Sequence, residues 1–156
     1  MRNDIRELGH VLRDRGVEAA DVNMLREHAR RVAHGAAVAR ALNGQEHAVA
    51  RASMERLYQK YPQQRDRYPD CESKTVRDMK LVLRYCAYSI ALDDPEYAKQ
   101  RMFYWLRTIF NAFQFGNGFI EDAYRLVQAN ATAGLEPDLA APVERSLDEV
   151  IEILCH

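Results

Sequence analysis

One stretch constrains the fold more than any other, residues 74–88, because apolar positions within it and just beyond it recur every three or four residues. That spacing places the apolar side chains on one face of an α-helix. These positions are Val76, Met79, Val82, Leu83, Cys86, Ala87 and Ile90. Asp93-Asp94-Pro95 ends the helix, because proline suits the first position of a helix but not its interior. The sequence therefore predicts an amphipathic helix with one buried face.

Charged residues are concentrated at the start of this predicted helix. They are Lys74, Arg77, Asp78 and Lys80. Thr75 and Asp78 have the spacing of a capping box, in which side chains accept hydrogen bonds from the free backbone N–H groups of a helix start. In this capping interpretation the lysines and arginines are simply solvated, and the charged group has only a structural role.

Helical spacing also describes the first half of the chain, and no part of the sequence shows strand alternation or an internal repeat. We predict an all-α protein whose scarce glycines and prolines separate the helices. A short amphipathic helix over residues 1–16 carries Ile5, Leu8, Val11 and Leu12. The next helix is predicted from Asp21 to Gly35. An alanine-rich helix then extends to Pro62, with Gly44 inside it at a close helix crossing.

The second half begins with a predicted polar loop over residues 63–73. After Pro95 follows a helix whose large apolar side chains occupy more than one face, which predicts a central position. Those side chains are Met102, Phe103, Trp105, Leu106, Ile109, Phe110 and Phe113. A glycine-rich break at residues 116–118 ends it. Glu121 and Asp122 are then expected in the first turn of the next helix, and the last helix from Pro142.

Length and composition indicate one domain, residues 1–156, with enough chain to bury a core. No apolar run approaches the ~20 residues of a membrane span, and the first residues do not form a signal peptide. We therefore expect a cytoplasmic protein with no membrane contact. Cys71, Cys86 and Cys155 are too widely spaced to suggest a disulfide framework or a metal site.

The net charge of −1 is unevenly distributed. Residues 1–67 carry 13 Lys and Arg against 9 Asp and Glu, whereas residues 117–156 carry 2 against 8. Such polarity suits association with another charged surface, although solvated helix faces of different composition explain it equally well. It is too weak for nucleic acid. Because the apolar stripe over residues 1–16 cannot bury itself alone, we expect a homodimer built from this helix and those after it.

Two motifs on the predicted helix resemble those of a known family. Lys74-Thr75-Val76-Arg77-Asp78-Met79 and Leu83-Arg84-Tyr85-Cys86-Ala87-Tyr88 together resemble the chromophore-bearing helix of phycobiliproteins. The resemblance covers about three-quarters of the chain, including residues 104–113. It implies the globin-like phycobiliprotein fold with seven or eight helices, and an amino-terminal extension that makes the dimer contact. Thr75 stands where the family has its bilin-attaching cysteine.

A globin-like fold suggests that the protein could bind haem. Haem iron needs an axial ligand from a helix that flanks the pocket. The histidines are His10, His28, His34, His47 and His156. None therefore lies within residues 48–155, which include both pocket helices. Cys86 and Met102 could replace histidine, but each fits an apolar helix stripe and is expected in the core. We expect no haem with histidine ligation and no bound metal.

A bilin, or linear tetrapyrrole, needs an acid for its pyrrole N–H groups, cations for its propionates, and aromatic or apolar walls. Asp78 can accept several N–H bonds, and Arg77 can pair with a carboxylate through two hydrogen bonds. The resemblance assigns these roles to Asp78 and Arg77, and more loosely to Lys74. Tyr85 and Tyr88 are further candidates to line the site.

Covalent attachment of a bilin is not expected. Thr75 cannot form the thioether, because a hydroxyl is a far weaker nucleophile than a thiolate. Cys71 precedes it by one turn and Cys86 follows it by three, so neither simply replaces the missing sulfur. Non-covalent or transient bilin binding remains open.

No residue pattern indicates an enzyme, since the chain has no nucleophile–histidine grouping and no phosphate loop. Within the family, the chain most resembles the bilin-biosynthesis-associated globins, which lack the attachment cysteine and share the step Trp105-Leu106. That implies a non-catalytic accessory protein that receives a bilin or organises haem oxygenase and a bilin reductase. The alternatives are a structural or light-harvesting phycobilisome subunit, and a haem- or gas-sensing globin.

Overall fold

The computed structural model describes residues 18–156, and every regular element among them is helical. The helices are α1 (Ala19–Leu42), α2 (Glu46–Lys60), α3 (Pro62–Arg65), α4 (Cys71–Ala91), α5 (Glu96–Ala98), a π-helical segment (Lys99–Phe103), α6 (Tyr104–Ala112), α7 (Asn117–Thr132) and α8 (Pro137–Cys155). The stretch from α5 to α6 is continuous, so residues 18–156 form seven continuous helices. The predicted all-α class is confirmed for this part of the chain.

The core lies between five helices. α7 packs along α8, α1 packs against α4, and α2 packs against both α4 and α7. The largest fully buried side chains are Leu57, Met79, Leu83, Phe103, Leu106, Leu147 and Leu154. The apolar stripe predicted for α4 supplies Met79, Val82, Leu83 and Cys86 to this core.

The boundary between the first two described helices differs from the prediction. Gly35 does not end a helix but lies inside α1, where a Cβ atom would stand 2.2 Å from the carbonyl oxygen of Ile90. Gly44 does not lie inside a helix but in the turn between α1 and α2, with φ of +84°, a conformation that favours glycine. The close helix crossing predicted at Gly44 is therefore at Gly35, between α1 and α4.

The aromatic-rich helix was predicted to be buried on more than one face, which is wrong for part of its length. Met102, Phe103 and Leu106 all enter the core from one face of the continuous helix. Tyr104 and Trp105 then point outward, and the Trp105 side chain is 58% exposed. Phe113, at the end of α6, is also exposed. Residues 102–106 thus bury one face only.

Three other helix boundaries differ from the predicted ones. The predicted loop over residues 63–73 contains the short helix α3, and α4 begins at Cys71. Glu121 and Asp122 fall in the second turn of α7 rather than the first, and Asp122 pairs with Lys60 and Tyr61 instead of serving the helix start. The last helix begins at Pro137 and includes Pro142.

The predicted amino-terminal helix with Ile5, Leu8, Val11 and Leu12 lies outside the described residues, so it stays a prediction, as do the homodimer and the single domain over 1–156. Among residues 18–156, no helix is both long and apolar enough to cross a membrane.

Candidate functional site

A cavity of about 310 Å³ opens between the start of α4, the end of α6 and the start of α7. Four of the residues predicted from the sequence line it, namely Lys74, Thr75, Arg77 and Asp78. Apolar and aromatic side chains from the other two helices and the loop before α7 supply the remaining walls. These are Ile109, Phe110, Phe113, Phe115, Phe119, Ile120, Ala123 and Tyr124.

Asp78 is the acidic group of this cavity, and its side chain is only 20% exposed. Both Nε and Nη2 of Arg77 lie 2.8 Å from its Oδ1 atom. Oδ2 accepts no hydrogen bond from any residue of 18–156. Burial raises the pKa of the Asp78 carboxyl above its usual value, and the Arg77 guanidinium opposes that rise. The site therefore presents a carboxylate with one oxygen neutralised by a neighbour and the other available.

The capping interpretation of Thr75 and Asp78 is wrong. α4 begins at Cys71, so both residues lie beyond the first turn, where the backbone N–H groups already have partners in the helix. At the true start, Asp70 adopts a left-handed conformation with φ of 58°, and the hydroxyl of Ser73 donates to its carbonyl oxygen at 2.9 Å.

The hydroxyl of Thr75 is held by a neighbouring helix. It lies 2.8 Å from the hydroxyl of Tyr58, which is also 3.0 Å from Sγ of Cys71. Burial raises the pKa of Tyr58 far above its ordinary value, so this phenol stays protonated. Tyr58 thus joins α2 to the first turns of α4 through two side chains of the cavity wall.

Lys74 lies at the exposed rim, where its Nζ atom donates to the carbonyl oxygen of Pro69 at 2.8 Å. Arg77 shares this rim and is also exposed. The cavity therefore has an apolar interior and a cationic mouth. Such a mouth suits a ligand whose body is apolar and whose ends are carboxylates.

The aromatic wall consists of rings that pack against one another. Phe115 stacks on Phe119 with ring centroids 5.4 Å apart and meets Phe110 edge-on at 5.7 Å. At the mouth, Tyr68 contacts Phe113 edge-on at 5.1 Å. These contacts hold flat apolar surfaces in fixed orientations.

Tyr85 and Tyr88 do not line this cavity, in contrast to the prediction. The ring of Tyr85 lies 6.2 Å from both Tyr88 and Tyr97, stacked on the latter. Tyr88 is 50% exposed. Both tyrosines therefore belong to a separate aromatic surface, two turns further along α4 and next to α5.

Phe115, Phe119 and Tyr124 line the cavity but were not predicted as site residues. Phe115 and Phe119 flank the predicted glycine-rich break, and only the return of the chain after that break brings them to α4. Tyr124, from α7, also lines the cavity and is 2% exposed. No local pattern distinguishes it from a core residue of α7.

Cys86 and Met102, the possible substitutes for a haem-ligating histidine, both lie in the core. Burial raises the pKa of the Cys86 thiol to about 12. Cys71, Cys86 and Cys155 are all free thiols. In the described part of the chain, no group of three or more His, Cys, Asp or Glu side chains is placed to hold a metal ion.

Residues 18–156 form an all-α bundle with a partly apolar cavity beside one amphipathic helix. The model of the phycobilisome protein family matches residues 12–154, and the chain belongs to that family. Its fold is accordingly the globin-like phycobiliprotein fold. A comparison with curated proteins finds no match. Family membership supports a bilin-related or light-harvesting role in general.

Proposed function

We propose that this protein is a non-catalytic accessory of bilin biosynthesis that holds a linear tetrapyrrole reversibly in the cavity at the start of α4. The observation that carries the proposal is the combination of Asp78, Arg77 and Lys74 at a cavity where Thr75 replaces a cysteine. Its partners would be haem oxygenase and a bilin reductase, whose product it receives or whose activities it organises.

The chemistry of the cavity residues fits a bilin. Asp78 has a free carboxylate oxygen for pyrrole N–H groups, and the rim cations Lys74 and Arg77 can take propionates. The aromatic wall offers flat surfaces to a conjugated chromophore. When bound, the bilin supplies visible absorption, and the residues of this chain orient it and limit its contact with water.

Reversible binding follows from the character of Thr75. A threonine hydroxyl does not add to the vinyl or ethylidene group of a bilin as a thiolate does, and this hydroxyl is also hydrogen-bonded to Tyr58. An antenna subunit keeps its pigment permanently, whereas a carrier must release it. The missing thiol therefore favours the accessory role over the light-harvesting alternative.

Co-expression tests this proposal. The chain is produced together with haem oxygenase and a bilin reductase, purified, and its absorption spectrum is recorded before and after denaturation in acidic urea. We expect visible colour in the native protein that separates from the chain on denaturation. Colour that stays with the denatured chain indicates a covalent pigment and a light-harvesting role, and a sharp violet band indicates haem. Either result contradicts the proposal.

The variant Thr75→Cys is a second, independent test of the site. It places a thiol at the wall of the cavity, where the resemblance predicts attachment. With Asp78 intact and a bilin lyase present, we expect an adduct that survives denaturation. Asp78→Asn in the same background is the matched control, and we expect less adduct from it. No adduct at all from Thr75→Cys would argue that the bilin does not approach this end of the cavity.

We further propose that the protein is a homodimer. α1 exposes the apolar side chains of Met24, Leu25 and Val32. In the sequence, α1 follows the segment whose apolar stripe predicted self-association. A specific interface usually buries more than about 1,000 Å². Sedimentation equilibrium at high micromolar concentration is expected to give a dimer, and a monomer under those conditions would exclude this proposal.

A further inference from the structure

The loop over residues 66–70 connects α3 to α4 at the mouth of the cavity. Its residues Tyr68 and Pro69 line the cavity, as does Phe113 from the end of α6. None of residues 66–70 is buried. The loop is therefore a part of the cavity wall that core packing does not hold in place.

Two hydrogen bonds join this loop to the end of α6. Nη2 of Arg67 and the hydroxyl of Tyr68 both donate to the carbonyl oxygen of Phe113, at 3.2 and 3.3 Å. α6 ends at Ala112, just before Phe113, where carbonyl groups lose their helical partners. We call these two hydrogen bonds the latch, because they attach the loop to the opposite wall through a single acceptor.

The Arg67 side chain also lies over two aromatic rings. Its guanidinium carbon is 5.3 Å from the ring centroid of Tyr68 and 5.6 Å from that of Phe115. Such contacts are weak at exposed positions, and Arg67 is exposed. Water can replace both hydrogen bonds of the latch when they break, because both are exposed. The loop can therefore separate from Phe113 while the helices stay folded.

We propose that residues 66–70 are a lid, which must detach from Phe113 before a ligand can enter or leave the cavity. A reversibly bound ligand needs such a passage, since helices and packed aromatic rings form the remaining walls. Arg67 does not itself line the cavity, so its role is to hold the lid closed. This inference rests on the proposed function for its ligand, but the lid can also be tested without one.

A lid and a ligand-binding residue differ in their kinetic effects. If the latch only closes the mouth, weakening it raises the rates of entry and release by the same factor, and the dissociation constant does not change. If Arg67 and Tyr68 instead hold the ligand, removing their polar groups raises the rate of release alone and weakens binding.

The test variant combines Arg67→Ala with Tyr68→Phe, which removes both donors of the latch and keeps the ring that lines the cavity. Arg65→Ala is the matched control. It removes another exposed arginine, whose guanidinium pairs with Glu72 and does not line the cavity. Stopped-flow absorption measurements with biliverdin, a bilin, give the rates of entry and release for each protein.

Opening of the lid is also measured without ligand, by the rate at which iodoacetamide alkylates Cys71. This buried thiol lines the cavity and directly follows the lid in sequence. Cys86 lies fully buried in the core and is the internal control, because its alkylation requires the bundle itself to open. Mass spectrometry distinguishes the two labelled cysteines.

We expect biliverdin to enter and leave the double variant about tenfold faster than the wild type, a factor that corresponds to about 1.4 kcal/mol. The dissociation constant should not change. Cys71 should be alkylated faster by the same factor, and Cys86 at the wild-type rate. Arg65→Ala should match the wild type in all of these measurements.

Faster release with an unchanged rate of entry would overturn the inference and leave the proposed function intact, because Arg67 and Tyr68 would then hold the ligand. Unchanged rates in the double variant, or equal changes in Arg65→Ala, would also overturn it. A wild type that binds no biliverdin would overturn the proposed function. Alkylation then decides about the lid alone: faster labelling of Cys71 in the double variant only supports it, and equal labelling overturns it.

Discussion

The two halves of α4 differ in what surrounds them. Residues 71–78 border a cavity and expose a carboxylate, two cations and a hydroxyl to it. In residues 85–92 the backbone of Ile90 instead lies against the bare backbone of Gly35, and Tyr85 stacks on Tyr97, while Tyr88 is exposed. We call this second stretch the packed half of α4, after its close contact with α1. The first half of the helix lines the candidate ligand cavity, and the second half makes the close crossing with α1.

The difference shows that residues on one helix face need not share one site. Asp78 and Tyr85 are seven residues apart, so they have nearly the same angular position on the helix, but they are separated by about 10 Å along its axis. The cavity does not extend that far along α4, so it does not reach Tyr85. Tyr85 therefore meets α5 instead, and the site predicted from a single motif is divided into two surfaces.

The largest expected effect concerns the packed half. Gly35→Ala places a Cβ atom 2.2 Å from the carbonyl oxygen of Ile90, and backbone cannot move aside as a flexible side chain can. We expect the free energy of unfolding to fall by about 3 kcal/mol, at the upper end of the usual cost of overpacking. Urea or thermal unfolding measures this loss.

Gly116→Ala is the matched control, because no atom lies within 4 Å of the Cβ it would add and its φ is −70°. Its stability should match that of the wild type. If Gly35→Ala is as stable as Gly116→Ala, α1 does not cross α4 as closely as described, and the contrast between the two halves of α4 is lost.

A smaller effect is expected in the cavity half. Tyr58→Phe removes the hydroxyl that joins Thr75 and Cys71 to α2. We expect a loss of about 1–2 kcal/mol in the free energy of unfolding, typical of a buried hydrogen-bonding group. Tyr85→Phe keeps its ring contacts in the packed half and should cost much less. A larger loss for Tyr85→Phe would reverse the assignment of the two tyrosines.

The smallest expected effect is a change in the free energy of unfolding with pH. Because burial raises the folded-state pKa of Asp78 above the usual 3.8, ionising it opposes folding. As the pH rises through and above 3.8, the wild type should therefore lose stability relative to Asp78→Asn. Urea unfolding of both proteins across this range measures the difference.

Asp122 provides the opposite case. Its hydrogen bonds with Lys60 and Tyr61 lower its pKa, so its carboxylate favours folding above pH 3.8 and loses that contribution as the pH falls through the folded-state pKa. The wild type should therefore gain stability relative to Asp122→Asn as the pH rises. If the stability of the wild type relative to Asp78→Asn and relative to Asp122→Asn changed in the same direction with pH, the distinct environments described for the two carboxyls would be contradicted.

Much of the fold could be predicted from helical spacing, including the buried stripe of α4. The break predicted at residues 116–118 lies earlier, at residues 113–116, because Asn117 and Gly118 already belong to α7. The structural roles of Gly35 and Gly44 were wrongly predicted, because the sequence shows where a glycine occurs but not which other part of the chain it contacts. Gly44 needs a positive φ, whereas Gly35 needs space for another helix. Only tertiary structure separates these two uses of glycine.

The site was predictable only where its residues are local in sequence. Lys74, Arg77 and Asp78 fall within two turns of one helix, so their motif was enough to place them together. Tyr124 comes from another helix, and nothing near it in sequence distinguishes it from a core residue. Trp105 was misplaced because its apolar character suggested burial, although Met102, Phe103 and Leu106 share one helix face and Trp105 lies off it.

The central claim is that the cavity half of α4, and not its packed half, binds a bilin reversibly. Equilibrium titration with biliverdin tests it most directly, with Asp78→Asn altering the cavity and Tyr88→Phe altering the exposed aromatic surface. We predict one biliverdin per chain for the wild type and Tyr88→Phe. Asp78→Asn should bind at least about tenfold more weakly, as expected when a hydrogen bond to a charged group is lost. Equal affinity in Asp78→Asn, or a loss confined to Tyr88→Phe, would contradict the claim.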